Sequence, residues 1–165
     1  MRRFLALPVL LLLSASAFAH NGDVIFVSPD GALSAAQIAT SGGREDKISI
    51  RNQHGAELSV KDHSSSTGWN GRYLYHGDWT PDSRFFVYST LSSGAHSIWH
   101  CETFAYDART NRFYSLDDFL GPLVEPAIVL SEPHRFHSKR LNPQGGVDAP
   151  PIEIDVDLAK VLVTK

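Results

Sequence analysis

The 165-residue chain contains one cysteine, Cys101, and its only methionine is the first residue. A lone cysteine excludes an intrachain disulfide, so packing alone must hold the fold together. Long apolar runs are also missing. The one hydrophobic stretch, Phe4 to Leu13, is too short to span a bilayer as a helix. No Asn-x-Ser/Thr acceptor occurs, and no Gly-x-Ser-x-Gly elbow precedes a helical pattern. Cys101 has no base placed beside it by sequence, so neither common hydrolase nucleophile has its signature here. Positive charge is scarce, with 15 Lys and Arg against 18 Asp and Glu.

The N-terminus has its own logic. Arg2 and Arg3 make a positive start, Phe4 to Leu13 an apolar core, and Ala17-Phe18-Ala19 a small-x-small cleavage site. Residues 1–19 therefore read as a secretory signal peptide, with Ala15-Ser16-Ala17 as an alternative cleavage point. This implies a periplasmic or secreted protein without a stable membrane anchor. Removing both arginines leaves 13 basic against 18 acidic residues, a net charge of −5. An acidic domain argues against nucleic acid or an anionic membrane as partner. The remaining 146 residues, 20–165, suffice for one β-rich domain with a sizeable core.

Short strands separated by turn signals fill that domain. Ser28-Pro29-Asp30-Gly31 and Thr80-Pro81-Asp82-Ser83 are strong turns, because Pro presets φ and Asp bonds back to the backbone. Asp23 to Val27 reads as a strand, and Leu33 to Thr40 as a strand or a weak helix. Lys47 to Asn52 shows the period-two alternation of a half-buried strand, and Leu58 and Val60 continue that sheet. Residues 62–71 form a polar, glycine-rich loop with Trp69 folded in. Arg72 to His76 is another strand. Phe85 to Tyr88 is apolar on both faces, as expected of a strand covered on two sides. Ser97 to Tyr106 reads as a long strand, followed by a hairpin to Phe113, Tyr114 and Leu116. Further strands are expected at Ala127 to Leu130 and His134 to Leu141. Ile152, Ile154, Val156 and Leu158 alternate with Glu153, Asp155 and Asp157 in the cleanest amphipathic strand of the chain.

Pro29 and Pro81 open comparable units of turn, strand, glycine turn and strand, 52 residues apart. Thr80 to Ser89 resembles the opening of TolB-type β-propeller repeats. Ile98-Trp99 and Tyr106-Asp107-x-x-Thr110-Asn111 resemble the later strand and hairpin of that repeat, and Ser28 to Gly31 resembles a second opening. The TPDS…FYSLDD layout is also similar to that of small exported bacterial proteins, a likeness that assigns no activity. The fold expected is all-β: an antiparallel meander of two propeller-blade-like units, about 24–61 and 72–120, followed by C-terminal strands over 125–165. Two blades are too few to close a propeller alone. That leaves an open meander or sandwich, or a ring completed by self-association.

Eight histidines raise the question of metal. Along a strand His96 and His100 are about 13 Å apart, too far to share an ion. His134 and His137 point to opposite faces. His20 is the sharper metal candidate: as a mature N-terminus its amine and imidazole would suit Cu(II) together with a second histidine. His100 and Glu102, two residues apart on one face, make an acid–base pair or an ordinary polar face. Cys101 reads as a small core residue, and Asp117-Asp118 as the cap at a helix start. The basic run His134 to Arg140 is expected to pair with Glu153, Asp155 and Asp157. Together these readings give an exported, non-enzymatic binding domain for a protein or cell-envelope ligand, with Trp69, Tyr73, Tyr75, His100 and Glu102 as binding residues. Copper handling through His20 is the alternative.

Overall fold

Strand β6, Phe85–Ser92, decides the architecture. Successive side chains of a strand point to opposite faces, and here both faces are apolar. Phe85 and Val87 enter one buried cluster, and Phe86 and Tyr88 enter another. A strand with two greasy faces must lie in a middle layer, which is where the computed structural model puts it. The described residues are 24–40, 42–94, 101–145 and 149–162. The signal-peptide reading and the expectations placed on His20, His96, Ile98, Trp99 and His100 lie outside them.

Three antiparallel sheets, each a plain meander, make the layers. Sheet I contains β1 (Val24–Val27), β2 (Leu33–Ala39), β3 (Asp46–Asn52) and β4 (Glu57–Asp62). Sheet II contains β5 (Arg72–Trp79), β6, β7 (Glu102–Asp107) and β8 (Arg112–Ser115). Sheet III is formed by β9 (Val129–Ser131), β10 (Arg135–Arg140) and β11 (Ile152–Asp157). Two single helical turns, α1 (Asp117–Leu120) and α2 (Leu158–Val161), close the hairpins of sheets II and III. The all-β meander expected from the sequence is thus present, and the C-terminal strands add a third sheet to the two units read from it.

Ala35, Ile48 and Ile50 of sheet I pack on Leu74, Trp79, Phe86, Tyr88, Phe104 and Tyr106 of sheet II. On the other side Phe85, Val87, Cys101 and Ala105 meet Phe136 and Leu158. Cys101 is therefore the small core residue expected, its thiol against the Leu123 carbonyl oxygen at 3.5 Å. The basic run also behaves as expected. Arg135 pairs with Asp155 at 2.7 Å, His134 meets Asp157 at 3.1 Å, and Lys139 reaches Glu153 at 3.7 Å.

Three local expectations need correction. Leu158 does not continue β11, because Asp157 accepts a hydrogen bond from the Lys160 N–H and starts α2. Asp117 and Asp118 do not cap α1. Leu116 holds the cap position, and the two aspartates occupy the first turn, where negative charge suits the helix N-terminus. Trp69 is not folded in but more than half exposed.

The Pro29 and Pro81 turns match bond for bond. Ser28 Oγ donates to Asp30 at 2.7 Å, as Thr80 Oγ1 does to Asp82 at 2.7 Å. The Leu33 and Phe85 N–H groups donate back to those hydroxyls, each at 3.0 Å. Gly31 and Ser83 occupy the same left-handed position, at φ 71° and 61°. Serine is strained there, and its Oγ accepts the Asp30 N–H at 3.0 Å from the neighbouring sheet. Pro133 lies a further 52 residues on, in the turn between β9 and β10. Its carbonyl accepts the Asp82 N–H at 3.3 Å, and His134 Nδ1 meets Asp82 Oδ2 at 2.8 Å. The three turns therefore pin the three sheets at one end.

Phe86 is fully buried, with ring centroids 5.4 Å from Phe26 and 5.4 Å from Trp79. Phe86→Ala should cost about 3–5 kcal/mol of unfolding free energy. Urea denaturation followed by tryptophan fluorescence measures this, and a loss under about 1 kcal/mol would contradict the middle-layer assignment.

Candidate functional site

Because every sheet is a meander pinned at its proline turn, longer connections fall at the opposite end. Of the described residues, 40 and 42–45, 62–71, 116–128, 141–145 and 149–151 all lie there. Loops on a rigid scaffold are where binding residues concentrate. Loop 62–71 is the centre of this end, and a buried carboxylate holds it.

Glu45 is 1% exposed and has no cationic partner among the described residues. It accepts the Ser65 N–H at 2.6 Å, the Gly71 N–H at 2.5 Å, Ser65 Oγ at 2.9 Å and Ser93 Oγ at 3.0 Å. Burial alone would raise its pKa, but these hydrogen bonds outweigh it and bring the carboxyl below its ordinary value. One side chain thus joins sheet I, the 62–71 loop and the turn after β6. Gly71 has to be glycine for this: a Cβ there would lie 2.5 Å from Glu45 Cδ and 2.5 Å from the His63 carbonyl oxygen. The neighbouring Asp46 is buried too, accepting Gln37 Nε2 and the Leu74 N–H, each at 2.7 Å.

Two open clefts flank the latched loop. The first, about 350 Å³, is lined by Gln37, Gly43, Arg44, Asp46, Tyr73 and Ser93. Above it the Arg44 guanidinium stacks on the Trp69 ring, 3.8 Å from the centroid. The second, about 440 Å³, has Lys61, Asp62, Arg72, Glu102 and Ser115 in its wall and His63 and Phe104 among its aromatics. Of the residues expected to bind, the structure brings Trp69 and Tyr73 together through Arg44. Glu102 goes to the other cleft, where it pairs with Arg72 Nε at 3.2 Å. Tyr75 lines neither. It is the extra residue of a β-bulge where the pairing of β5 with β6 shifts between Leu74 and His76. His100 and His20 lie outside the described residues.

Sequence reasoning missed Arg44, Glu45, Asp46, Lys61, His63 and Arg72. Arg44, Glu45 and Asp46 directly precede the strand read from Lys47, and nothing local tells that the two acids turn inward. The available signal was the Ser- and Gly-rich loop 62–71: it satisfies several of its own backbone N–H groups, but those of Ser65 and Gly71 need an acceptor from elsewhere in the chain.

His63 is buried, its Nε2 2.9 Å from Tyr88 Oη and its ring 4.8 Å from Phe104. Burial, then the charges of Lys61 and Arg72, hold it down to about 4. Burial alone raises Tyr88. The pair is therefore neutral, and Tyr88 is wholly enclosed, so it works as a structural hydrogen bond. Burial also pushes the Cys101 thiol up, away from nucleophilic thiolate character. His134 and His137 go to separate partners: His134 bridges Asp82 and Asp157, while His137 Nε2 meets Ser131 Oγ at 2.8 Å. Among the described residues no cluster of three His, Cys, Asp or Glu side chains is arranged for a metal, and no helix is long and apolar enough to cross a membrane.

Two pH windows follow. Unfolding lets His63 take up a proton near pH 6.5 that the folded protein refuses until about 4. Stability should therefore fall by about 3 kcal/mol as pH drops through that window, and His63→Gln should flatten it in denaturation curves. Glu45 acts lower. Its depressed folded pKa gives stability that is present above its ordinary value of 4.5 and lost as pH falls below it. Glu45→Gln should remove that lower component from the melting temperature. Gly71→Ala should free loop 62–71 to proteolysis at neutral pH, and unchanged cleavage would refute the latch.

Compared with known proteins, the chain matches no family model, no curated sequence and no solved structure.

Proposed function

We propose that the protein is an exported, non-enzymatic binding domain that takes a protein or cell-envelope ligand at its loop end. The observation that carries this reading is the Arg44–Trp69 stack beside Tyr73 over the first cleft. Trp, Tyr and Arg dominate the energetics of binding surfaces, because they offer large area with few rotors and versatile donors. Trp69 is 56% exposed and Tyr73 36%, so the surface is presented to solvent. The loop behind it is fixed by Glu45. A partner meeting a prearranged surface loses less of its contact energy to ordering.

The non-enzymatic reading draws on the engaged titratable groups. His63 is occupied by a fully buried tyrosine, and the Cys101 thiol is enclosed in the core. Export rests on the signal-like residues 1–19. The copper reading depends on His20 and gains no observation from the described residues.

Retention of the processed chain on immobilised envelope extract is the direct measurement. The double substitution Trp69→Ala and Tyr73→Ala should leave the melting temperature within a few degrees and lower retention by about tenfold, in line with truncating two anchors. Equal retention of the double variant would sink the reading. So would turnover in a hydrolase screen by the wild-type chain that the variant loses.

A further inference from the structure

The second cleft has a donor surplus. Its two carboxylates are engaged: Asp62 by Lys47 at 2.6 Å and by Ser64 Oγ at 2.6 Å, Glu102 by Arg72 at 3.2 Å. Its donors are engaged only in part. Arg72 Nη2 is buried with no hydrogen-bond partner among the described residues, although Nε of the same group donates to Thr90 Oγ1 at 2.9 Å. The Lys61 ammonium lies 5.5 Å from the Phe104 centroid and has no carboxylate partner among the described residues. The Ser115 hydroxyl, in the same wall, likewise has no partner there.

A buried guanidinium N–H without an acceptor is costly to the free protein, and an anion relieves that cost with a charge-assisted bond. In the wall Lys61 and Arg72 stand against Asp62 and Glu102, and Lys47, from outside the cleft, takes up Asp62, so Lys61 is left without a carboxylate. Donors on three separate side chains suit a tetrahedral oxyanion, whose oxygens point in several directions, better than a planar carboxylate.

We propose that this cleft binds a phosphate group, free or as the head of a larger molecule, through Lys61 Nζ, Arg72 Nη2 and Ser115 Oγ. The site is separate from the Trp69–Tyr73 surface and stands or falls independently of it.

Calorimetric titration of the processed chain in low-salt, phosphate-free buffer tests this, with inorganic phosphate and glycerol phosphate as ligands and acetate as control. The expected result is one site with Kd below about 1 mM for phosphate. Lys61→Gln should weaken it about tenfold, the loss of one charge-assisted contact, and Ser115→Ala by a smaller factor. Both positions reach the surface, so melting curves should show the variants folded. Should Lys61→Gln fail to fold, Ser115→Ala alone decides the matter. Glycerol phosphate binding as tightly as inorganic phosphate identifies the ligand as a phosphoester head, whereas weaker binding identifies the free ion. No saturable phosphate uptake, acetate binding as tightly as phosphate, or folded variants that bind like the wild type would overturn the proposal. Trp69→Ala with Tyr73→Ala should leave phosphate affinity unchanged, which separates the two surfaces.

Discussion

Strand β6 has no face to offer to water. With Phe85 and Val87 on one side and Phe86 and Tyr88 on the other, all fully buried, any arrangement with solvent on either face would expose two large side chains, at about 1.5–3 kcal/mol for each aromatic. Sheets I and III are what cover it. The rest of the fold follows from that need: outer sheets with one apolar face each, and connections short enough to bring them alongside. Gly77 belongs to the same constraint. A Cβ there would come 2.7 Å from Phe86 Cζ, so β5 gives up a side chain to let the ring through.

Glu45 meets a different demand. A buried carboxylate is normally matched by Arg or Lys, yet here its partners are two backbone N–H groups and two hydroxyls. Backbone donors do not leave when salt rises or a lysine wanders, so the latch is insensitive to ionic strength in a way that the exposed Lys47–Asp62 pair is not. The second cleft is lined by the loop it secures, and Trp69 of that loop stacks on Arg44 of the first. A ligand at either cleft would not have to order residues 62–71.

Much of this was legible in the sequence, and the exceptions have physical causes. Alternation over Ile152 to Asp157 and the basic run His134 to Arg140 gave a strand pair with matched charges, because period-two patterning is local. The Pro29 and Pro81 turns were legible for the same reason. The third turn was not, since His134 stands where Asp30 and Asp82 stand in the others; its equivalence shows only in the bonds that tie it to Asp82. Trp69 was expected inside because tryptophan is apolar. Its position is set instead by Glu45, more than 20 residues away, through contacts that no window of sequence contains. Glu102 likewise finds Arg72 across the sheet, a pairing that no local pattern announces.

The pinned proline turns have a mechanical consequence. Asp30, Asp82 and Pro133 fix the distance between successive layers at one end. At the other end Glu45 ties loop 62–71 to sheet I, while Leu116, Leu120, Leu123 and Ile128 are packed into the core between sheets II and III. The layers are thus spaced from both ends, by hydrogen-bonded turns at one and by a buried carboxylate and apolar side chains at the other, and a change in one connection leaves the spacing to the rest.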